Sequence, residues 1–457
     1  MPEARPNQPL SAAVAVIGAG PAGLFAAREL AQAGCQVALI NRDIKPGGLA
    51  EYGIYPSKHK MKEGLRRQFR QVMAEPGIHY FGHLAIAADE DISLDDLLAL
   101  GFDAILVTVG AQGTKWLGLP GEDLEGVYHA KDLVYHYNKL PPFSEEHFAI
   151  GQRVLCVGVG NVMLDIAHWA VRQLKVDEVI AIARRGPADV KFTKKEMAIV
   201  GHNLDLDALD AEFERTRPIM EAVGQNPEEA KDFILSALDK AEEPVSDTRF
   251  KLEFLASPKA LLGDEKGRVR GVEVEETTLE AREGGGSRAV SLGTTRVIDC
   301  DTVVFCIGDR VDDTFGLPLN QWGEFAKHPQ PSFPVDEFSY EAYDPASEQP
   351  VEGIFLAGWA REASSGLVGS ARKDGINGTN ALLAYVAEHG SQGQDAIAAL
   401  EDRLNSLPTP VVRKDDWLKL EAVETDQAQK RGLEEFKFAS DAEMLEMMGL
   451  SGEKQTA

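Results

Sequence analysis

Val16-Ile-Gly-Ala-Gly-Pro-Ala-Gly23 decides the fold. Ala13 to Ile17 is a short apolar run that ends in the glycines, Leu24 to Gln32 is amphipathic, and Gln36 to Ile40 is apolar again. Strand, glycine turn, helix and strand within about thirty residues make a βαβ unit. Each glycine has a physical task. Gly18 permits the tight turn, Gly20 lets a pyrophosphate approach the backbone, and Gly23 lets the helix sit close to the strand. The free N–H groups at the helix start then face the phosphates. About twenty positions on, an acidic residue is expected to accept ribose hydroxyls. The strand end instead reads Ile40-Asn41-Arg42-Asp43. Asn41 holds the place with an amide oxygen and no charge, and Asp43 takes it only if the strand end shifts.

A second unit begins near Arg153. Val154 to Val157 leads into Gly158-Val-Gly160-Asn161, a helical pattern runs to Leu174, and Val179 to Ala183 is the next strand. The third glycine is missing. At the end of that next strand stand Arg184 and Arg185, two guanidinium groups suited to an adenosine 2′-phosphate through bidentate charged hydrogen bonds. An acidic residue there would favour NAD; a solvated basic pair is the plain alternative. The run Ala104 to Val109 ends in Gly110 before the second unit, and Thr302 to Ile307 ends in Gly308 after it. Each glycine lets backbone come close to a ligand.

Gly353 to His389 again reads as strand, glycine-rich loop and helix, and is assigned to the first domain. The expected architecture is α/β, with two Rossmann-like dinucleotide-binding domains. Residues 1–112 and 311–457 form the first, and 113–310 form the second, inserted in it. Residues 200–250 read as acidic helices, Ala281 to Thr295 as an exposed hairpin or loop, and the tail from about Leu407 as a docked extension.

At 457 residues the chain suits two or three domains. No run of about 18 apolar residues predicts a membrane span, and the first residues read as a short lead rather than a signal peptide. The cysteines Cys35, Cys156, Cys300 and Cys306 form no CxxC pair, which argues against a redox dithiol, an iron–sulfur site or zinc. They read as buried packing, and their scarcity fits a reducing compartment, the cytoplasm. A net charge of −26, from 73 acidic and 47 basic residues, excludes nucleic acid or an anionic membrane as the expected partner. No catalytic residue is assigned and no metal is expected. Two dinucleotides in one chain point to a flavin and a nicotinamide, cofactors that carry the chemistry themselves.

With these residues in view, the chain resembles the adrenodoxin-reductase-like family of ferredoxin–NADP reductases, within the glutathione-reductase-like flavoproteins. The landmarks run over nearly the whole chain: the Val16–Gly23 turn, Pro46-Gly-Gly-Leu49 with Tyr52-Gly-Ile54, Leu119-Pro-Gly121, Gly158-Val-Gly-Asn-Val162, Arg184-Arg-Gly-Pro187, Phe192-Thr-Lys-Lys-Glu196, Ala357-Gly-Trp359 and, in the tail, Trp417-Leu-Lys-Leu420 and Glu443-Met-Leu445. The resemblance implies bound FAD and NADP(H), with electrons passing to a ferredoxin or similar iron–sulfur carrier. It places Gly18, Ala19, Gly20, Ala22 and Gly23 on the FAD pyrophosphate, with Asn41 where the family has a ribose-binding glutamate. Gly48 and Leu49 would approach the flavin and Leu84 the adenine side; Gly358, Trp359, Gly366, Leu367 and Val368 would line the isoalloxazine. In the second domain, Val159, Gly160, Asn161 and Val162 would meet the NADP pyrophosphate, Arg184 and Arg185 its 2′-phosphate, and Glu196 matches a family acidic residue near it.

Several stretches depart from the family pattern. Tyr55-Pro-Ser-Lys-His59 displaces a family histidine by one, making His59 a surface residue, and Glu362-Ala-Ser-Ser-Gly366 and Lys373-Asp-Gly-Ile-Asn377 differ on the flavin side. Residues 201–250 carry 13 acidic and 5 basic side chains where the family presents basic docking residues, leaving Arg66, Arg67 and Arg70 as a candidate basic patch. Two other functions are kept open. One is a reductase module like the small subunit of glutamate synthase, although no cysteine precedes Cys35; the other is a non-catalytic flavoprotein that senses NADPH.

Overall fold

The computed structural model describes residues 11–87, 90–364, 366–391, 393 and 395–450; the N-terminal lead lies outside them. The chain forms two compact units. One comprises Met1–Thr114, Tyr135–Glu145 and Asp309–Ala457, and the other Lys115–Val134 and Glu146–Gly308. The short piece Tyr135–Glu145 thus returns to the first unit from within the inserted stretch.

The first unit opens with β1 (Ala13–Ile17), α1 (Pro21–Gln32), β2 (Gln36–Asn41), β3 (Ile78–Gly82) and β4 (Ala104–Val107). Its six-stranded sheet runs Glu341–Asp344, Gln349–Leu356, β4, β1, β2, β3. All neighbours are parallel except the first pair. β1 is buried on both faces, and its side chains divide by the two-residue period of a strand: Val14 and Val16 join one core cluster, Ala13, Ala15 and Ile17 another.

The second unit repeats the plan with β5 (Arg153–Val157), α2 (Asn161–Trp169), β6 (Glu178–Ile182) and β7 (Thr302–Phe305). The sheet is wholly parallel, in the order Val127–His129, β7, β5, β6, Arg249–Glu253. Helices Leu206–Ala222 and Pro227–Leu235 occupy the acidic stretch. The glycines 284–286 form the exposed tip of a long hairpin, Val269–Ala281 with Ser287–Asp299, inside a three-stranded antiparallel sheet.

The first unit closes with α3 (Val368–His389), α4 (Lys414–Arg431) and α5 (Asp441–Met448). α3 crosses α1 closely, because a Cβ on Gly375 would collide with the carbonyl of Ala22. The tail docks through Trp417, Leu420, Met444 and Met448, all buried in the core cluster of β1 and α1. Each such side chain contributes about 1.5–3 kcal/mol through burial. Among the described residues no helix is long and apolar enough to cross a membrane.

Candidate dinucleotide clefts

In the first unit the glycine turn is shaped by what surrounds it. Gly18 has φ +104° and faces the end of β4, where a Cβ would come 2.6 Å from the Thr108 carbonyl oxygen. A Cβ on Gly23 would strike the Gly18 carbonyl and the Thr108 hydroxyl. That hydroxyl donates to the carbonyls of Ile17 (3.0 Å) and Gly18 (2.8 Å), bracing the turn from behind. Gly20 differs, since no protein atom lies within 4 Å of a Cβ built on it. α1 starts with no side-chain cap, no acid in its first turn and Pro21 at its head. Open space before uncapped N–H groups is a fitted cradle for a pyrophosphate.

Three distant stretches converge on this cradle. The Gly47 N–H donates to the Ala19 carbonyl at 2.7 Å, and a Cβ on Gly48 would lie 3.1 Å from Gly20 Cα. Leu49 starts the short helix Leu49–Tyr52. Gly358, at φ +66°, sits so near Ala22 that the two Cβ atoms would be 2.7 Å apart. Its turn is pinned by Asp374, which accepts from the Gly358 N–H (2.7 Å), the Tyr340 hydroxyl (3.0 Å) and the Arg361 guanidinium (2.7 Å). Trp359 and Val368 are half-buried, Gly366 is exposed, and Leu367 is 75% exposed at the start of α3. Ser365, one of the departures from the family pattern, lies outside the described residues. A cavity of about 170 Å³ lies among Gly358, Trp359, Arg361, Ser370 and Asp374.

Asn41, at the end of β2, is buried and engaged on both sides of its amide. The oxygen accepts from the Ala19 N–H (3.0 Å), and the nitrogen donates to the carbonyls of Asp43 (2.8 Å) and Lys45 (3.1 Å). It ties the glycine turn to the loop after β2, leaving one oxygen lone pair for a ribose hydroxyl. Leu84 is buried, its N–H donating to the Asn41 carbonyl (3.1 Å). Beyond the ends of β2 and β3 lies a cavity of about 210 Å³ whose walls include Arg42, Asp43, Tyr52, His83, Leu140 and Asp441. Gly110, after β4, has φ +75°.

The second unit holds a looser version of the same turn. Gly158 has φ +115° and faces the end of β7, where a Cβ would meet the Cys306 carbonyl at 2.5 Å; around Gly160 the space is open within 4 Å. Where the first turn has Gly23, α2 carries Met163, fully buried. The Val159 carbonyl accepts from the Lys191 N–H (2.9 Å) and the Asn161 oxygen from the Thr193 N–H (2.8 Å), while Val162 is exposed. α2 also starts without a side-chain cap. Arg184 is exposed, and its carbonyl is held by the Thr277 hydroxyl at 2.7 Å. Arg185 pairs with Asp189 at 3.0 Å, so the two guanidinium groups are not equally available. Glu196 lies in the first turn of helix Lys194–Ile199, where its N–H is capped by Thr193.

Other side chains depart from what their spacing suggests. Two of the three arginines of the candidate basic patch are paired with carboxylates: Arg66 is bound by Glu51 and Glu435, and Arg70 by Glu63 (2.6 Å) and Glu421 (2.9 Å), while Arg67 is exposed. Glu421 and Glu435, far along the chain, supply part of that compensation. His59 meets Glu434 at 3.2 Å at the surface. All four cysteines are free and buried. Cys156 and Cys306 are nevertheless in contact, on neighbouring strand ends; burial first, then Cys156 itself, pushes the Cys306 thiol well above its ordinary value. Among the described residues no cluster of metal-ligating side chains occurs.

Two largely parallel sheets, each with a glycine turn leading to an uncapped helix, make a two-dinucleotide fold. A family profile described as "Pyridine nucleotide-disulphide oxidoreductase" matches residues 12–200. The chain is 26% identical to the mitochondrial NADPH:adrenodoxin oxidoreductase of Salvelinus fontinalis, over 95% of its own length and 90% of that protein's. It is 27% identical to the NADPH-ferredoxin reductase FprA of Mycobacterium tuberculosis, over 94% of its length and 98% of the relative's. The structure of that FprA in complex with NADPH shares the fold, with a TM-score of 0.79 at 23% identity, covering 96% of this chain and 99% of the other. Over nearly its whole length the chain is thus similar to NADPH:adrenodoxin oxidoreductases and NADPH-ferredoxin reductases.

Proposed function

We propose that this protein is an FAD-dependent reductase that passes electrons between NADPH and an iron–sulfur protein of the ferredoxin kind. The observation that carries this reading is the pair of glycine turns, one per unit, with Arg184 and Arg185 beyond the second. The relatives named NADPH:adrenodoxin oxidoreductase and NADPH-ferredoxin reductase support the same activity. Bound FAD would accept hydride from NADPH and release electrons singly, so the protein itself supplies no acid, base or nucleophile.

The tasks left to the chain are binding and orientation. In the first unit Gly18, Ala19, Gly20, Ala22 and Gly23 would hold the FAD pyrophosphate with backbone N–H groups, with Asn41 and Leu84 toward the adenosine. Gly48, Leu49, Gly110, Gly358, Trp359, Gly366, Leu367 and Val368 would line the flavin. In the second unit Val159, Gly160, Asn161 and Val162 would receive the NADPH pyrophosphate. Arg184, less encumbered than Arg185, would take most of the 2′-phosphate charge, and Glu196 would lie near the nucleotide. Four buried, unbridged cysteines support a cytoplasmic setting. The test is reduction of cytochrome c by NADPH, with and without an added [2Fe–2S] or [4Fe–4S] ferredoxin. Stimulation by the ferredoxin is expected; a purified protein without yellow flavin would end the proposal.

A further inference from the structure

Behind the Gly47–Gly48 turn lies a cluster of buried charges that dinucleotide chemistry does not require. At its centre is Glu51, 3% exposed, in the short helix that follows the turn. Arg66 donates to both of its oxygens (2.7 and 2.5 Å), Lys437 Nζ stands at 2.9 Å and Lys45 Nζ at 3.3 Å. Burial alone would raise the Glu51 carboxyl; Lys437, Lys45 and Arg66 overcome it and hold it well below the usual carboxylate range.

The cluster reaches the C-terminal extension by three routes. Lys45 donates to Glu424 on α4 at 2.5 Å. Glu435 pairs with Arg66 and, at 3.2 Å, with Lys62. Lys437 donates to the Glu51 carbonyl (2.8 Å) and the Asn138 carbonyl (3.3 Å), and lies over the Tyr52 ring. On its other side the same backbone faces the cradle. Gly47 is hydrogen-bonded to Ala19, Gly48 abuts Gly20, and a Cβ on Gly47 would lie only 2.9 Å from Glu51 Cβ.

Desolvating so many charges costs several kcal/mol per ion, and an apolar contact would bury the tail at less cost. What an ion cluster adds is one geometry, because each charge is stable only with its partners in place. We propose that Glu51 is a positioning residue for FAD: by gathering Lys45, Arg66 and Lys437 it fixes the Gly47–Leu49 turn against Gly20, and it makes the extension from Glu424 to Lys437 a working part of the cofactor site. This rests on the reading of the first unit as the FAD unit.

The test is FAD affinity of the full chain, measured by titrating deflavinated protein and following flavin fluorescence, with NADP⁺ affinity by calorimetry as the internal control. Wild-type protein that binds no FAD would overturn the underlying reading and the proposal with it. Given FAD binding by the wild type, Glu51→Gln, which removes the carboxylate that Lys45, Arg66 and Lys437 share, should raise the FAD Kd roughly 30-fold. NADP⁺ binding should stay unchanged. Glu51→Gln combined with Lys437→Met, which removes a cation along with the anion, should recover at least tenfold of that loss. Should Glu51→Gln fail to fold, Glu51→Asp decides: it keeps the charge but shortens the reach, and a rise of about fivefold is expected. Wild-type FAD affinity in Glu51→Gln, or in Glu51→Asp where only that variant folds, would refute the proposal. Equal weakening of FAD and NADP⁺ would refute it too, as damage to the whole fold.

Discussion

The two glycine turns follow one plan with different tolerances. In both, the first glycine faces a carbonyl at the end of the neighbouring strand, Thr108 in one unit and Cys306 in the other, and the second glycine opens onto empty space. They part at the third position. Gly23 leaves no room for a side chain, whereas the second unit accommodates Met163, fully buried. The first turn is also braced from three sides, by Asn41, Thr108 and the Gly47–Gly48 turn. The difference suits a cofactor that stays bound in one unit and a substrate that comes and goes in the other.

The comparison can be broken by substitution. The largest effect is expected from Gly23→Ala, whose Cβ collides with backbone: about 3 kcal/mol of stability and the retained flavin should be lost, as read by thermal unfolding and absorbance. Met163→Ala, a cavity at the equivalent place, should cost about 2–3 kcal/mol yet leave flavin content intact. Next comes Arg184→Ala, which should raise the KM for NADPH about 10–100-fold and leave that for NADH nearly unchanged. Arg185→Ala should do less, because Asp189 already holds that side chain. Equal effects on both nucleotides would remove the 2′-phosphate role. Gly20→Ala and Gly160→Ala should sharpen the contrast, since both sites are open. Each should leave the melting temperature within a few degrees and weaken only its own nucleotide, roughly tenfold.

The units also differ in pH dependence, because they titrate in different windows. In the second unit, burial and then Lys131 push His129 down to about 4 from its ordinary 6.5. The unfolded chain therefore binds the extra proton between those values, and stability should fall as pH drops through 6.5 toward 4. In the first unit, burial pushes Lys437 down to about 7, despite Glu51 and Glu435 beside it and with Lys62 and Lys45 adding to the shift. Here the unfolded chain holds the proton up to its ordinary value, so stability should rise from pH 7 toward 10. His129→Gln should flatten the acid limb and Lys437→Met the alkaline one, in unfolding curves across pH.

The glycine turns, the strands that flank them and the arginine pair were legible in the sequence because each depends on residues close in the chain. Glycine spacing reports the turn, and a two-residue period reports the buried strand. The charge cluster was not legible, since Lys45 and Glu424 are partners across 379 positions and no local pattern marks them. Arg66 and Arg70 looked like an exposed basic patch for the same reason. Asn41 was readable as a departure, but its bracing of Ala19 shows only in three dimensions. Asp374, which pins the Gly358 turn, sits in a stretch that drew notice only for differing from the family. Cys156 and Cys306, 150 positions apart, meet because their strand ends are neighbours.

The most direct measurement is anaerobic stopped-flow mixing of the purified yellow protein with NADPH, followed at the visible absorbance of the flavin. One FAD per chain, bleached within seconds by NADPH and far more slowly by NADH, is the expected result. A protein that binds both nucleotides yet keeps its flavin oxidised would contradict electron transfer between the two.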